Sequence, residues 1–149
     1  MALSFDELVR TPIRGGRKRR DTVKYMLHMN VPGGPYRMPG WSPDDIKGMV
    51  AFMHRINADL KSAGKLVAAE GLAGPDQTRI VRADDGGRPV VTDGPFAESK
   101  EFIAGFWIVD VKDEDEAYRI AAKVSTCPGP GGKPLNMPIE VRAIGQAPA

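Results

Sequence analysis

The stretch EFIAGFWIVDV, residues 101–111, constrains the fold of this chain more than any other. Its β-branched and aromatic residues are typical of a strand. Alternation along a strand places Ile103, Gly105, Trp107 and Val109 on one side, and Phe102, Ala104, Phe106 and Ile108 on the other. Both sides are apolar, so we predict a central strand that is buried on both faces.

Other segments complete an alternation of strands and helices. One helix is expected between Ser42, a favourable N-cap, and Gly64, which ends it. A second is expected from Asp113, with Glu116 three residues on, which is the spacing of a capping box. Runs of apolar and β-branched residues predict five further strands, at residues 23–30, 65–72, 78–83, 88–92 and 138–144.

This order of elements predicts an α+β fold. It is the ferredoxin-like βαββαβ plan with an antiparallel sheet and a β-hairpin insertion, residues 78–92. Right-handed crossovers place both helices on one face of the sheet. The other face, which includes Phe106 and Ile108, then has no cover within the chain. We expect a second copy to cover it in a two-fold homodimer, sheet against sheet.

The charge distribution suggests a division of the chain. Residues 1–21 contain six basic and three acidic side chains, a net charge of +3, whereas the whole chain carries +2. We expect a flexible basic leader, residues 1–21, followed by one domain, residues 22–149. A basic run can contact nucleic acid, but no aromatic residue is interleaved with residues 14–20 for base stacking. A solvated arm is therefore favoured, and nucleic acid is not an expected partner.

The chain has few cysteines and histidines, the residues that form disulfides and zinc sites. Cys127 is the single cysteine, which excludes an intrachain disulfide and fits a reducing cytoplasm. With only two histidines besides, an all-protein zinc site is not expected. The chain shows no signal-peptide core and no apolar run of the roughly 20 residues that span a bilayer. We expect a cytoplasmic protein that needs no metal or cofactor and has no membrane partner.

The polar residues before the central strand form the first candidate site. The turn sequence DGP, residues 93–95, needs no function to explain it. However, Glu98, Lys100 and Glu101 follow at short spacing. These charges could bind a polar ligand, or they could brace one another at a rim. In the functional interpretation, Asp93 is a carboxylate at the mouth of a cleft.

The two histidines have different predicted environments. Alternation places His28 with Met26 and Asn30 on one side of the first strand. There it is either a hydrogen-bonded core residue or a general base whose partner is a carboxylate such as Asp93. His54 flanks the apolar stripe of the first helix, and we interpret it as structural.

Glu70 is the third candidate, because it lies on an apolar side of its predicted strand. A carboxylate there needs a partner. Arg142 in the last strand and Arg82 in the inserted hairpin are available. The pattern indicates either a structural Glu–Arg pair at a sheet end or a polar pocket inside a barrel.

The motif VTDGPFAESKEFIAGFWIVDV, residues 91–111, resembles the DGPF family of the YCII-related proteins. Supporting sequences follow the expected order: YMLHM at 25–29, LKSAGKLVAAEGL at 60–72 and IEVRAI at 139–144. The resemblance implies a dimeric α+β barrel of ferredoxin-like subunits. It does not imply one reaction. YCII-type members are suspected enzymes because of a His–Asp pair, whereas DGPF members often occur alongside extracytoplasmic-function sigma factors.

We therefore expect a homodimer that binds a small polar molecule near residues 93–95. The expected ligand-binding residues are Glu70, Glu98, Lys100, Glu101 and Arg142. One alternative is a cofactor-free enzyme in which Asp93 and His28 are the acid–base pair. Another is a regulatory protein linked to sigma-factor signalling.

Overall fold

The computed structural model describes residues 21–32 and 40–146, and residues 1–20 of the predicted leader lie outside this range. The predicted α+β fold is confirmed. The strands are β1 (Val23–Pro32), β2 (Leu66–Gly71), β3 (Arg79–Ala83), β4 (Pro89–Asp93), β5 (Glu101–Val111) and β6 (Ile139–Ala143). The helices are α1 (Pro43–Ser62) and α2 (Glu114–Ser125), and two short 3-10 turns span Pro75–Gln77 and Pro130–Gly132.

Four strands form one antiparallel sheet in the order β2-β5-β1-β6. This is the strand order of the ferredoxin-like plan, and β5 has a neighbour on each side, as its sequence predicts. The inserted strands β3 and β4 pair with each other in a separate two-stranded sheet. Ile80 is the half-buried residue of this hairpin, and the other residues of both strands are exposed.

Side-chain caps fix the starts of both helices. The Ser42 hydroxyl accepts from the Asp45 amide at 3.1 Å, and the Asp45 carboxylate accepts from the Ser42 amide at 2.8 Å. At α2 the Asp113 carboxylate accepts from the Glu116 amide at 2.9 Å. The expected capping box is wrong in its second bond, because Glu116 accepts from the amide of Lys112, one residue earlier than Asp113.

Glu116 also joins α2 to the start of β2. Its carboxylate accepts a hydrogen bond from the Lys65 ammonium. That bond, followed by the one from the Lys112 amide, holds the pKa of Glu116 below its usual value. The same carboxylate therefore ties three segments together: the β5–α2 connection, α2 itself and the residue before β2.

Both helices pack on one face of the sheet. The buried residues there are Leu27, Trp107, Val109 and Val111 from the strands, with Ile56, Leu60, Ala117, Ala121 and Val124 from the helices. The indole Nε1 of Trp107 donates to Asn57 Oδ1 on α1 at 2.8 Å, so the polar atom of this core side chain is satisfied. Neither helix in the described part of the chain has the length and apolar character to cross a membrane.

The opposite face of the four-stranded sheet, which we call the open face, carries no helix. Met26, Phe106 and Ile108 lie on it and are half-buried, whereas Leu27, Trp107 and Val109 on the helix side are buried. The prediction that β5 is apolar on both sides is confirmed, but within one chain only the helix side is fully covered.

A register shift corrects the predicted faces at the start of β5. Met29 pairs with Gly105, but Asn30 pairs with Ile103, so Ala104 is the extra residue. Paired residues of neighbouring strands share a face, which places Ile103 with Asn30 on the open face. The expectation that Ile103 shares a face with Trp107 is therefore wrong, because simple alternation does not survive a bulge.

Candidate functional site

A row of side chains crosses the open face from one edge of the sheet to the other. The strand register pairs Glu70 with Phe106, Phe106 with His28, and His28 with Glu140. In the neighbouring row, Met26 pairs with Arg142. The fold thus brings the predicted residues His28, Glu70 and Arg142 to one face. Two strand spacings, about 10 Å, separate the main chains of Glu70 and His28.

His28 lies beside a carboxylate that the sequence analysis did not select. Its Nδ1 is 3.7 Å from Glu140 Oε2, and Glu140 Oε1 accepts from Asn30 Nδ2 at 2.8 Å. The His28 side chain is 14% exposed, and that of Glu140 is 61% exposed. The amide holds the carboxylate next to the imidazole. At 3.7 Å the two groups are within ion-pair distance but too far apart for a hydrogen bond.

Glu70 is exposed at the β2 edge of this face. In the described residues it forms an ion pair with neither Arg142 nor Arg82. The strands β5 and β1 lie between β2 and β6, and Arg82 belongs to the separate hairpin. The structural pair considered from the sequence does not form, and among the described residues the Glu70 carboxylate beside Phe106 has no ion-pair partner.

Asp93 lies apart from this row, at the end of β4 in the hairpin. Its side chain is 92% exposed, and its Oδ1 is 3.4 Å from Nε of Arg79 on the paired strand. Within the described residues it accepts no hydrogen bond from the amides that follow it, and no bond joins it to His28. The turn depends on Gly94 instead. The Gly94 amide donates to Thr78 O at 3.0 Å, and a Cβ at Gly94 would approach the Thr78 methyl to 3.0 Å.

The three charges that follow the turn are all exposed. Among the described residues, Glu98, Lys100 and Glu101 form no ion pair with one another. The alternative in which they brace one another is therefore not what the structure shows. Glu101 begins β5 and lines a groove of about 450 Å³ together with Pro95 and Pro75. Five residues, about 16 Å of strand, separate Glu101 from Phe106 in the His28 row.

The family model of the YCII-related domain matches residues 25–128. The chain belongs to the YCII-related family. A relative among curated proteins is an uncharacterized protein of Rhizobium meliloti (strain 1021), which is 28% identical over 109 residues. That alignment covers 73% of this chain and 87% of the relative.

The YCII-related match ends before β6. It includes His28, Glu70 and the turn with its charged followers, but not Glu140 or Arg142. Glu140 and Asn30 were both missed from the sequence. Asn30 could have been found from its two-residue spacing from His28, which puts both on one side of the strand. Glu140 could not, because its position beside His28 depends on the register of β6 against β1.

Proposed function

We propose that this YCII-related protein is a homodimer that binds a small polar molecule on the open face, on the side of the turn and charged residues at 93–101. The observation that carries the proposal is the contact of His28 with the Glu140 carboxylate, which the Asn30 amide orients. Polar groups that converge beside apolar surface are typical of small-molecule sites.

The composition of the open face supports a division of roles. Met26, Phe106 and Ile108 supply half-buried apolar surface that a second copy would cover. The charged groups Glu70, Glu140 and Arg142 lie in the same rows. A partner sheet would reduce their contact with water, and buried charges require partners. A polar ligand with both donors and acceptors supplies them.

Acid–base catalysis is the second candidate, and one contact favours it. His28 is the general base in this proposal, with Glu140 as its orienting carboxylate. Among the described residues Asp93 makes no ion pair with His28, so Glu140 replaces it as the partner carboxylate in this proposal. A substrate identified by the binding screen should be consumed in this case, with a rate that depends on His28.

The proposal is tested first by replacing His28 with glutamine. A panel of metabolites is ranked by thermal shift, because a ligand of the folded state raises the melting temperature. We expect His28→Gln to weaken binding of the best ligand by at least about tenfold, the loss of one hydrogen bond to a charged group. Arg55→Gln is the control, since Arg55 is exposed on α1 and lines neither site. Equal affinity of His28→Gln and wild type would exclude the open face as the site.

Asp93→Asn tests whether the carboxylate at the start of the turn, residues 93–95, contacts the ligand. An exposed ion pair such as Asp93–Arg79 contributes about 1 kcal/mol or less, so the melting temperature should change by less than about 4 °C. If the Asp93 carboxylate contacts the ligand, affinity should fall while the fold is kept. Asp85→Asn, an exposed change in the β3–β4 turn, is the control. Identical ligand responses in all three proteins would assign Asp93 to the hairpin alone.

A further inference from the structure

A second cavity lies on the other side of the sheet, between α1 and the β2–β5 edge. Its volume is about 350 Å³, within the range of about 300–1,000 Å³ that small-molecule sites occupy. The residues that determine its character are Met49, Met53, His54 and Asn57 on α1, with Gly71 and Trp107 on the sheet. Glu70 and Phe106 also border the cavity, although the strand register places their side chains on the open face.

Two glycines leave this space empty. Gly71 pairs directly with Gly105, two residues along each strand from the Ala69–Trp107 pair, so both glycines face α1. A Cβ placed on Gly71 would meet nothing within 4 Å. A Cβ on Gly105 would lie 3.0 Å from the Glu70 carbonyl. The cavity therefore exists because two opposed positions lack side chains, and Gly71 borders its open part.

Two polar side chains of α1, Asn57 and His54, line the helix side of the cavity. Asn57 Oδ1 accepts the indole hydrogen of Trp107 at 2.8 Å, so the amide Nδ2 is the group that Asn57 has left to offer. In the described part of the chain no other side chain takes a hydrogen bond from Asn57. His54 is exposed three residues earlier, on the same side of α1. A ligand that satisfies these groups must bring an acceptor.

The rest of the lining suits a flat apolar body. Met29, Met49 and Met53 contribute three flexible, polarizable side chains. Methionine fills irregular gaps and makes favourable contacts between its sulfur and aromatic rings. The indole of Trp107 is 5% exposed and held by Asn57, so it gives the cavity one rigid wall. A ring between this wall and the methionines fits better than a branched or strongly hydrated group.

We propose that this cavity binds a small aromatic carboxylate. The ring lies among the methionines and against Trp107, above Gly71. The carboxylate accepts from Asn57 Nδ2 and from the imidazole of His54. This site lies on the helix side of the sheet, and its test does not require the dimer.

Benzoate is the probe, and benzamide, which has the same shape without the charge, is the comparison. Binding is measured by calorimetric titration of the full chain. We expect Gly71→Val to fill the cavity and weaken benzoate binding by at least about tenfold. The melting temperature should stay equal or rise, because valine favours strands and glycine does not. Gly145→Val is the matched control, since Gly145 follows β6 at the opposite edge of the sheet and a Cβ there meets nothing within 4 Å.

A second variant tests the polar end without altering the cavity volume. Wild type should bind benzoate more tightly than benzamide, and His54→Ala should remove this preference while the protein stays folded, since His54 is exposed. The proposal is overturned if wild type binds neither probe, or if Gly71→Val binds benzoate as wild type does. It is also overturned if His54→Ala keeps the full preference for the anion.

Discussion

Replacing Ile108 with glutamate is expected to separate the proposed homodimer into monomers with the chain mass of 16.1 kDa. Ile108 is half-buried at the centre of the open face, paired with Met26 and Ala68 on the neighbouring strands. In a two-fold dimer each substitution introduces two carboxylates into one interface. Burying a charge without a partner costs several kcal/mol, so the dissociation constant should rise at least about 100-fold.

Sedimentation at micromolar concentration measures this result. Wild type should give about twice the chain mass, and Ile108→Glu the chain mass. The matched control is Ile46→Glu, the same chemical change at an isoleucine that is 40% exposed near the start of α1. This control should remain dimeric. A wild-type protein that is monomeric at this concentration would remove the basis of the dimer proposal.

Leu27→Ala should cause the largest loss of stability. Leu27 is completely buried in β1, between Trp107 on β5 and Val141 on β6, beneath both helices. Truncation of a buried leucine costs about 2–5 kcal/mol, because the apolar contact is lost and a cavity remains. The melting temperature should fall by roughly 10 °C or more.

The matched control is Leu72→Ala, since Leu72 follows β2 and is 50% exposed. Denaturant unfolding at a fixed protein concentration compares both variants with wild type. Leu72→Ala should cost far less than Leu27→Ala, because most of the removed surface is already in water. Comparable losses would mean that the two leucines contribute equally, which contradicts the burial that separates them.

Much of the fold follows from patterns that act over short distances. The bounds of β5 agree with the sequence prediction at both ends, because an apolar run that starts after Lys100 and stops before Lys112 has clear limits. The helix caps Ser42 and Asp113 were also predicted, since capping depends on residues within one turn. The insertion of the hairpin followed from its central turn, residues 84–88.

The errors arise where the outcome depends on pairing between distant segments. The bulge at Ala104 leaves the run equally apolar, so the sequence gives no signal that Ile103 changes face. The neighbour of His28 is Glu140, more than 100 residues away, because β6 pairs with β1. Asp93, the carboxylate chosen from the motif, belongs to the hairpin and pairs with Arg79. Residue types therefore selected candidate residues, but strand register decides which of them lie together.

The β3–β4 hairpin and the four-stranded sheet should differ in how readily they unfold locally. Two-stranded hairpins are marginally stable on their own in water, and this one has little buried side-chain surface besides Ile80. It can open locally while the four-stranded sheet remains folded, so its amide hydrogens should exchange with solvent sooner than those of β5. Asp93 belongs to the hairpin, which should open more often, and His28 belongs to the four-stranded sheet, which should open less often. A ligand that contacts both Asp93 and His28 would make the hairpin open less often. Part of its binding free energy would then offset the cost of keeping the hairpin folded.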